Sequence, residues 1–347
     1  MFDYDAIVIG GGQAGLAMGY YLQRMNKRFV MIDQQARVGD SWRKRYDTLV
    51  LFTPRRFNDL PGFPFSGDRN QLPTKDETAD YLEAYANHFQ LPIMPEKTVV
   101  RVEKTESGFQ VFTTDEVLSA PSVVIATGPF HTPYIPDKHM ELAQDIVSLH
   151  TADYRNGLQL QPGPVLVVGG GNSGAQIAVE LAASRPVILS MGQSRSFLPI
   201  TIMGVSIFWL LKAAGLLTLP GTSWIGKRWK QRPDPIFGYE KQMRELERSG
   251  KLRIAERTLS IQGDLATFSD GEQASFSNVI WATGFRPSYE WLHVPGALND
   301  AGRPLHERGI SPIKGLFYIG QPWQHSRTSA LLGGVGADAG YLIQHMD

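Results

Sequence analysis

Ala6-Ile7-Val8-Ile9-Gly10-Gly11-Gly12-Gln13-Ala14-Gly15 and Val165-Leu166-Val167-Val168-Gly169-Gly170-Gly171-Asn172-Ser173-Gly174 are two copies of one device, set 169 − 10 = 159 positions apart. Each starts with a continuous apolar run, the pattern of a strand buried on both faces of a parallel sheet. Each continues as G-x-G-x-x-G and opens a helical stripe: Ala14, Ala17, Tyr21 and Met25 in the first, Ile177, Ala178, Leu181 and Ala182 in the second. The first glycine allows a tight turn, the second lets a pyrophosphate approach the backbone, and the third lets the helix pack on the strand. The helix N-terminus then aims its amide dipoles at the phosphates. Among 35 glycines a lone match arises by chance in roughly one such chain in three; two matches with strand and helix in place suggest two dinucleotides and electron transfer between them. Gly334-Val335-Gly336-Ala337-Asp338-Ala339 fits a looser form but follows no clear parallel strand, and is rejected as a third site.

The ends of the second strands make the two sites unequal. Phe29-Val30-Met31-Ile32 ends at Asp33, 33 − 10 = 23 positions after the first glycine, where a carboxylate accepts hydrogen bonds from a ribose diol. The same offset in the second copy, 169 + 23 = 192, falls on Gly192 after Pro186-Val187-Ile188-Leu189-Ser190. With no carboxylate there, a 2′-phosphate meets no repulsion. Gln193, Ser194 and Arg195 follow, and the expected site is a permissive one that takes NADPH and also NADH.

Composition narrows the chemistry. Lys plus Arg is 34 and Asp plus Glu is 34, so nothing points to nucleic acid or another polyanion. The chain has no cysteine, which removes a C-x-x-C redox pair, metal–thiolate sites and iron–sulfur clusters. Its eight histidines show no metal-ligand spacing, and no metal is expected. The first strand begins almost at once, so no leader is expected and cytoplasm is the expected compartment.

The organisation is nested: an α/β fold of two Rossmann-like dinucleotide-binding domains in three ββα layers, the second inserted in the first. Ala126-Thr127-Gly128 closes the first unit after Ser122–Ile125, and Ala282-Thr283-Gly284 closes the second after Asn278–Trp281. Leu316–Ile319 reads as a further buried strand of the first unit, followed by a helix from about Ser329. The expected ranges are 1–155 and 285–347 for the first domain and 156–284 for the second.

With these motifs the chain resembles the flavin-containing monooxygenases, specifically their compact bacterial members, over essentially its whole length. Further features of the resemblance are Gly39-Asp40-Ser41-Trp42 in place of G-G-x-W, Leu51-Phe52-Thr53-Pro54, the paired A-T-G turns and the ending Gly333–Ala339. It implies FAD in the first site, a nicotinamide coenzyme in the second and O2 as co-substrate, with a small sulfide or amine as the molecule oxygenated. Trp42, Leu51 and Thr53 would then line the flavin, Gln321 would lie near its ring, and the helix N-terminus at Leu332 would support negative charge on the reduced ring. Gln34 and Val100 complete the expected cofactor contacts.

Two departures affect the reaction. Where the family often carries an asparagine that helps hold activated oxygen, this chain has Phe52, which raises wasteful release of hydrogen peroxide as an alternative outcome. Around His150 the signature F-x-G-x-x-x-H-x-x-x-(F/W) keeps only His150 and Tyr154, with Gln144 and Ile146 in place of its phenylalanine and glycine, which argues against a Baeyer–Villiger enzyme. Phe52 and Gln321 are therefore the residues on which oxygen chemistry turns. A monooxygenase, an NAD(P)H oxidase or reductase, and a redox-sensing flavoprotein all stay open. The apolar stretch from Phe197 to Pro220, followed by Lys227, Arg228, Lys230 and Arg232, reads as a helical insertion over the substrate channel or a homodimer surface rather than a membrane segment.

Overall fold

The computed structural model describes residues 2–136 and 139–346, and every expected site residue lies within them. Its frame is two parallel sheets built from β1 (Ala6–Ile9), β2 (Phe29–Ile32), β3 (Ile93–Met94), β4 (Ser122–Ile125), β5 (Val147–His150), β6 (Val165–Val168), β7 (Val187–Ser190), β8 (Leu252–Ala255), β9 (Asn278–Trp281) and β10 (Leu316–Tyr318). The first sheet runs β10-β4-β1-β2-β3 and the second β5-β9-β6-β7-β8. Position for position the two orders match, so the duplication seen in the glycine motifs extends through both sheets. In each, the strand before the glycines lies between the A-T-G strand and the strand ending at the ribose position.

Each sheet is covered twice. Helix α1 (Gln13–Arg24), the helix Lys75–His88 and the last helix form the helical side of the first sheet's core, with Leu16, Met18 and Leu22 fully buried. Burying each such side chain contributes about 2 kcal/mol. The opposite face packs on a sheet in which Val99–Lys104, Phe109–Thr113 and Val117–Ala120 run antiparallel and Leu292–His293 joins Val99–Lys104 in parallel. The second sheet repeats this, with α2 (Asn172–Ala182) on one face and an antiparallel sheet led by Thr258–Gly263 and Leu265–Phe268 on the other.

Three expectations shift. The helix α1 ends at Arg24, so Met25 is 58% exposed and lies outside its buried stripe. Val147–His150, left with the first unit by a boundary at 155, pairs in parallel with β9 of the second sheet. The segment after Phe197 is only partly helical: Phe197–Leu198 pairs with Ile236–Phe237, Thr201–Ile202 with Val205–Ser206, and the helices are Ile207–Ala213 and Trp224–Lys230. Its glycines and prolines interrupt the apolar run before a longer helix can form. No helix among the described residues is long and apolar enough to cross a membrane. The rejected third motif lies inside α3 (Leu332–Leu342) and makes no strand-to-helix turn.

The first and third glycines of each fingerprint are fixed by the fold itself. Gly10 and Gly169 sit at φ +109° and +115°, with the carbonyls of Ala126 and Ala282 against the place of a side chain. A Cβ on Gly15 would lie 1.9 Å from the carbonyl oxygen of Gly10, and one on Gly174 at 1.9 Å from that of Gly169. Neither backbone can retreat without opening the turn. Gly15→Ala and Gly174→Ala are each expected to cost about 3 kcal/mol, read as a lowered thermal midpoint; an unchanged midpoint would show that the turn is softer than this packing implies.

Candidate functional site

The middle glycines behave differently. Gly12 and Gly171 adopt extended backbone before their helices, and a Cβ on either would meet nothing within 4 Å. Packing does not require glycine here, and each helix N-terminus faces open space. Beside the first turn the Thr127 hydroxyl is buried next to the Tyr289 phenol. An open cradle at a helix N-terminus suits a bound dinucleotide.

Asp33 closes the first cradle. Its carboxylate accepts from the Gly11 amide at 2.5 Å and from the Gln35 amide at 2.7 Å, which orients it at the rim; Gln34 beside it is exposed. Gln13 opens α1, its amide 3.5 Å from the Ala330 carbonyl just ahead of α3, while a Cβ on Gly320 would lie 2.8 Å from that of buried Ala14. The first fingerprint, Gln321 and Leu332 are thereby gathered at one edge of the sheet. Gly39 caps the short helix carrying Trp42, and Trp42 and Leu51 pack on the first core. The Thr53 hydroxyl donates to Asn58 at 2.8 Å and is committed within the protein. Val100 stands apart: it sits at a register shift of its antiparallel sheet, 51% exposed.

At the second cradle the structure corrects the offset. Ile9 pairs with Ile32 in the first sheet, but Val168 pairs with Ser190 in the second, so the counterpart of Asp33 is Met191 and not Gly192. The cause is α2, which at 11 residues is one shorter than α1 at 12. A Cβ on Gly170 would lie 2.6 Å from Met191 Cγ, where Gly11 meets Asp33. Methionine, like glycine, places no carboxylate there. Ser173, Gln193 and Ser194 are exposed around this rim, and Arg195 donates to the Asp234 carbonyl at 2.8 Å. The Asn172 side chain donates to the Pro235 carbonyl and accepts from the Phe237 amide, tying down the inserted segment. The Thr283 hydroxyl donates to the Tyr134 carbonyl, while Gly128 and Gly284 both face open space.

Beside the second cradle lies a small cavity of about 30 Å³ whose lining includes Leu51, Phe52, Asn172, Gln176, Phe237 and Tyr239. Phe52 stacks on Phe237 at 4.7 Å and 12°, and on Phe208 at 6.2 Å. Both partners come from the inserted segment, so Phe52 is the platform on which that segment rests. Gln321 donates to the Tyr289 hydroxyl at 2.9 Å, and burial pushes that phenol up to about 12. Tyr289, Phe208 and Phe237 were not legible as site residues, because nothing local in the sequence marks a contact made across so many positions.

His150 ties the end of β5 to the second A-T-G turn. It is buried, its Nδ1 accepts from the Ala152 amide at 3.1 Å and its Nε2 contacts the Gly284 carbonyl at 2.9 Å. Burial lowers its pKa from the ordinary 6.5, and does the same to His306 and His325. The folded state therefore binds fewer protons, and the stability from these neutral rings is full above about pH 6.5 and lost as pH falls through the lower folded values. The thermal midpoint is expected to drop between about pH 7 and about pH 5, and less so in His150→Gln; an equal drop in that variant would remove His150 from the account.

Two nucleotide cradles in a chain without thiols define a two-dinucleotide oxidoreductase. The chain belongs to the pyridine nucleotide-disulphide oxidoreductase family, whose model matches residues 7–195, and to the flavin monooxygenases within that group. It is 51% identical to an uncharacterized oxidoreductase CzcO-like of Geobacillus kaustophilus, over 98% of this chain and 97% of that protein. It is 31% identical to a probable indole-3-pyruvate monooxygenase YUCCA1 of Arabidopsis thaliana, over 91% and 84%. The solved flavin-containing monooxygenase from Stenotrophomonas maltophilia superposes with a TM-score of 0.83 at 26% identity, covering 100% of this chain and 98% of that one. The protein is thus an oxidoreductase of flavin-monooxygenase type, and the disulphide chemistry in the wider family's name has no cysteine to work on here.

Proposed function

We propose that this enzyme uses FAD, NADPH and O2 to oxygenate soft nucleophiles, sulfides to sulfoxides foremost and amines second, with NADH also accepted. The observation that carries the reading is the pair of glycine cradles, each with open space before its helix N-terminus, in a chain that has no cysteine to pass electrons to. Bound FAD would supply hydride acceptance and oxygen activation. The balance is one sulfide, O2, NADPH and a proton giving sulfoxide, NADP+ and water.

The protein's own tasks are binding and orientation. Gly10, Gly12, Gln13, Ala14 and Gly15 would bring helix amides to the FAD pyrophosphate, with Asp33 accepting from its ribose. Ala126, Thr127 and Gly128 would border the same cofactor. Gly169, Gly171, Asn172, Ser173 and Gly174 would do the same for the coenzyme through backbone amides, bordered by Ala282, Thr283 and Gly284. Gln321, held by a phenol that stays protonated at ordinary pH, would present a fixed amide to the flavin edge, and the N-terminus of α3 at Leu332 would stabilise negative charge there. The test is aerobic turnover of FAD-loaded protein with NADPH and a panel of aryl sulfides and amines. Oxygenated product is expected; NADPH consumption with no product across the panel overturns the reading.

One observation favours a second outcome. Phe52 offers no hydrogen bond to activated oxygen, and hydrogen peroxide release is its consequence. Phe52→Asn removes the stack on Phe237, worth about 1 kcal/mol, and restores a donor. The ratio of sulfoxide to hydrogen peroxide is expected to rise severalfold in this variant, and a ratio that falls would show that the aromatic platform matters more than the missing amide.

A further inference from the structure

We propose that Arg257 forms a subsite for the 2′-phosphate of NADPH at the end of β7 and so sets the coenzyme preference, an inference that rests on the second cradle being the nicotinamide site. Sequence order hides this residue, which lies 257 − 192 = 65 positions after Gly192. Sheet register reveals it. Ser190 pairs with Ala255, so two residues further on Gly192 and Arg257 lie side by side. Arg257 Nη2 donates to the Gly192 carbonyl at 2.9 Å. A Cβ on Gly192 would lie 3.1 Å from Arg257 Nε, so the missing side chain is what lets the guanidinium settle there.

The surrounding bonds hold that arrangement. The Ser190 hydroxyl donates to the Glu256 carbonyl at 2.8 Å and accepts from the Thr258 amide at 2.9 Å, clamping the residues on both sides of Arg257. The Ser269 amide donates to the Arg257 carbonyl at 2.9 Å. The guanidinium itself is exposed at the rim, and most of its five N–H donors are free for an anion. The residue after the second strand of a Rossmann half faces the adenine ribose. In the first half that residue is Asp33, which would repel a phosphate. In the second it is the neutral Met191, with Arg257 one strand over. Arg195, the basic residue nearest in sequence, is turned to the Asp234 carbonyl instead. A planar guanidinium matches phosphate bidentately.

Because Arg257 is exposed, its contribution is moderate and salt-sensitive. The test is calorimetric titration of FAD-loaded protein with adenosine 2′,5′-bisphosphate and with adenosine 5′-monophosphate, which reads binding without turnover. The bisphosphate is expected to bind about tenfold more tightly, with the difference shrinking as salt rises. Arg257→Ala is expected to erase that difference and leave the monophosphate unchanged; Arg257→Lys should keep part of it. Gly192→Ala, which crowds Nε without removing the charge, should reduce it. Equal binding of the two nucleotides to the wild type, or an undiminished difference in Arg257→Ala, overturns the proposal. If neither nucleotide nor NADPH binds at all, the nicotinamide reading of the second cradle fails first and takes this one with it.

Discussion

Gly171→Val is expected to leave the protein folded and loaded with flavin while weakening NADPH by about two orders of magnitude. The backbone there is extended, which valine adopts without strain, and its Cβ would meet nothing within 4 Å. Valine at the helix cap costs about 1 kcal/mol against glycine, too little to unfold a domain. What the branched side chain does is fill the space a pyrophosphate needs to reach the amides of α2. Losing two charge-assisted bonds of about 1.5–3 kcal/mol each sets the magnitude. The readout is the KM for NADPH together with flavin content per chain. The corresponding change in the first cradle, Gly12→Val, should yield folded protein that purifies without flavin. Undiminished NADPH binding in Gly171→Val would mean that the open space above α2 is not the coenzyme site.

Asp33→Ala is the second large effect, and it acts on the flavin. Removing the carboxylate deprives the Gly11 and Gln35 amides of their acceptor and takes away the group placed to bind a ribose diol. Each bond lost to the ribose diol costs about 1–3 kcal/mol, so the loss of two lowers FAD affinity by about 100-fold. The variant is expected to purify largely colourless and to regain colour with added FAD. Asp33→Asn keeps one acceptor oxygen and should fall between. A fully yellow Asp33→Ala would show that the flavin is held elsewhere.

Much of this arrangement was legible because it is local. The apolar runs before Gly10 and Gly169, the glycine spacing and Asp33 all act within one strand–helix–strand unit, and the A-T-G phrases end strands of equal burial. What failed did so where one residue decides the register. Counting 23 positions reached Gly192, but the second helix is one residue shorter, and strand pairing puts Met191 opposite Asp33. What was missed is non-local. The stack of Phe52 on Phe237, the bond from Gln321 to Tyr289 and the placement of Arg257 beside Gly192 each join residues far apart in sequence. No spacing rule connects them; the sheets do. For the same reason Phe52, read from sequence as a departure at one position, is in the structure half of a compensating pair with the inserted segment.

On the proposed reading the first cradle holds FAD and the second delivers hydride to it. Anaerobic rapid mixing of the purified, flavin-loaded protein with NADPH tests this most directly, followed through the flavin's visible absorbance. Prompt bleaching is expected in the wild type, slow bleaching limited by weak binding in Gly171→Val, and recovery of absorbance on admitting oxygen. A flavin that stays oxidised in the wild type at saturating NADPH and NADH would contradict it.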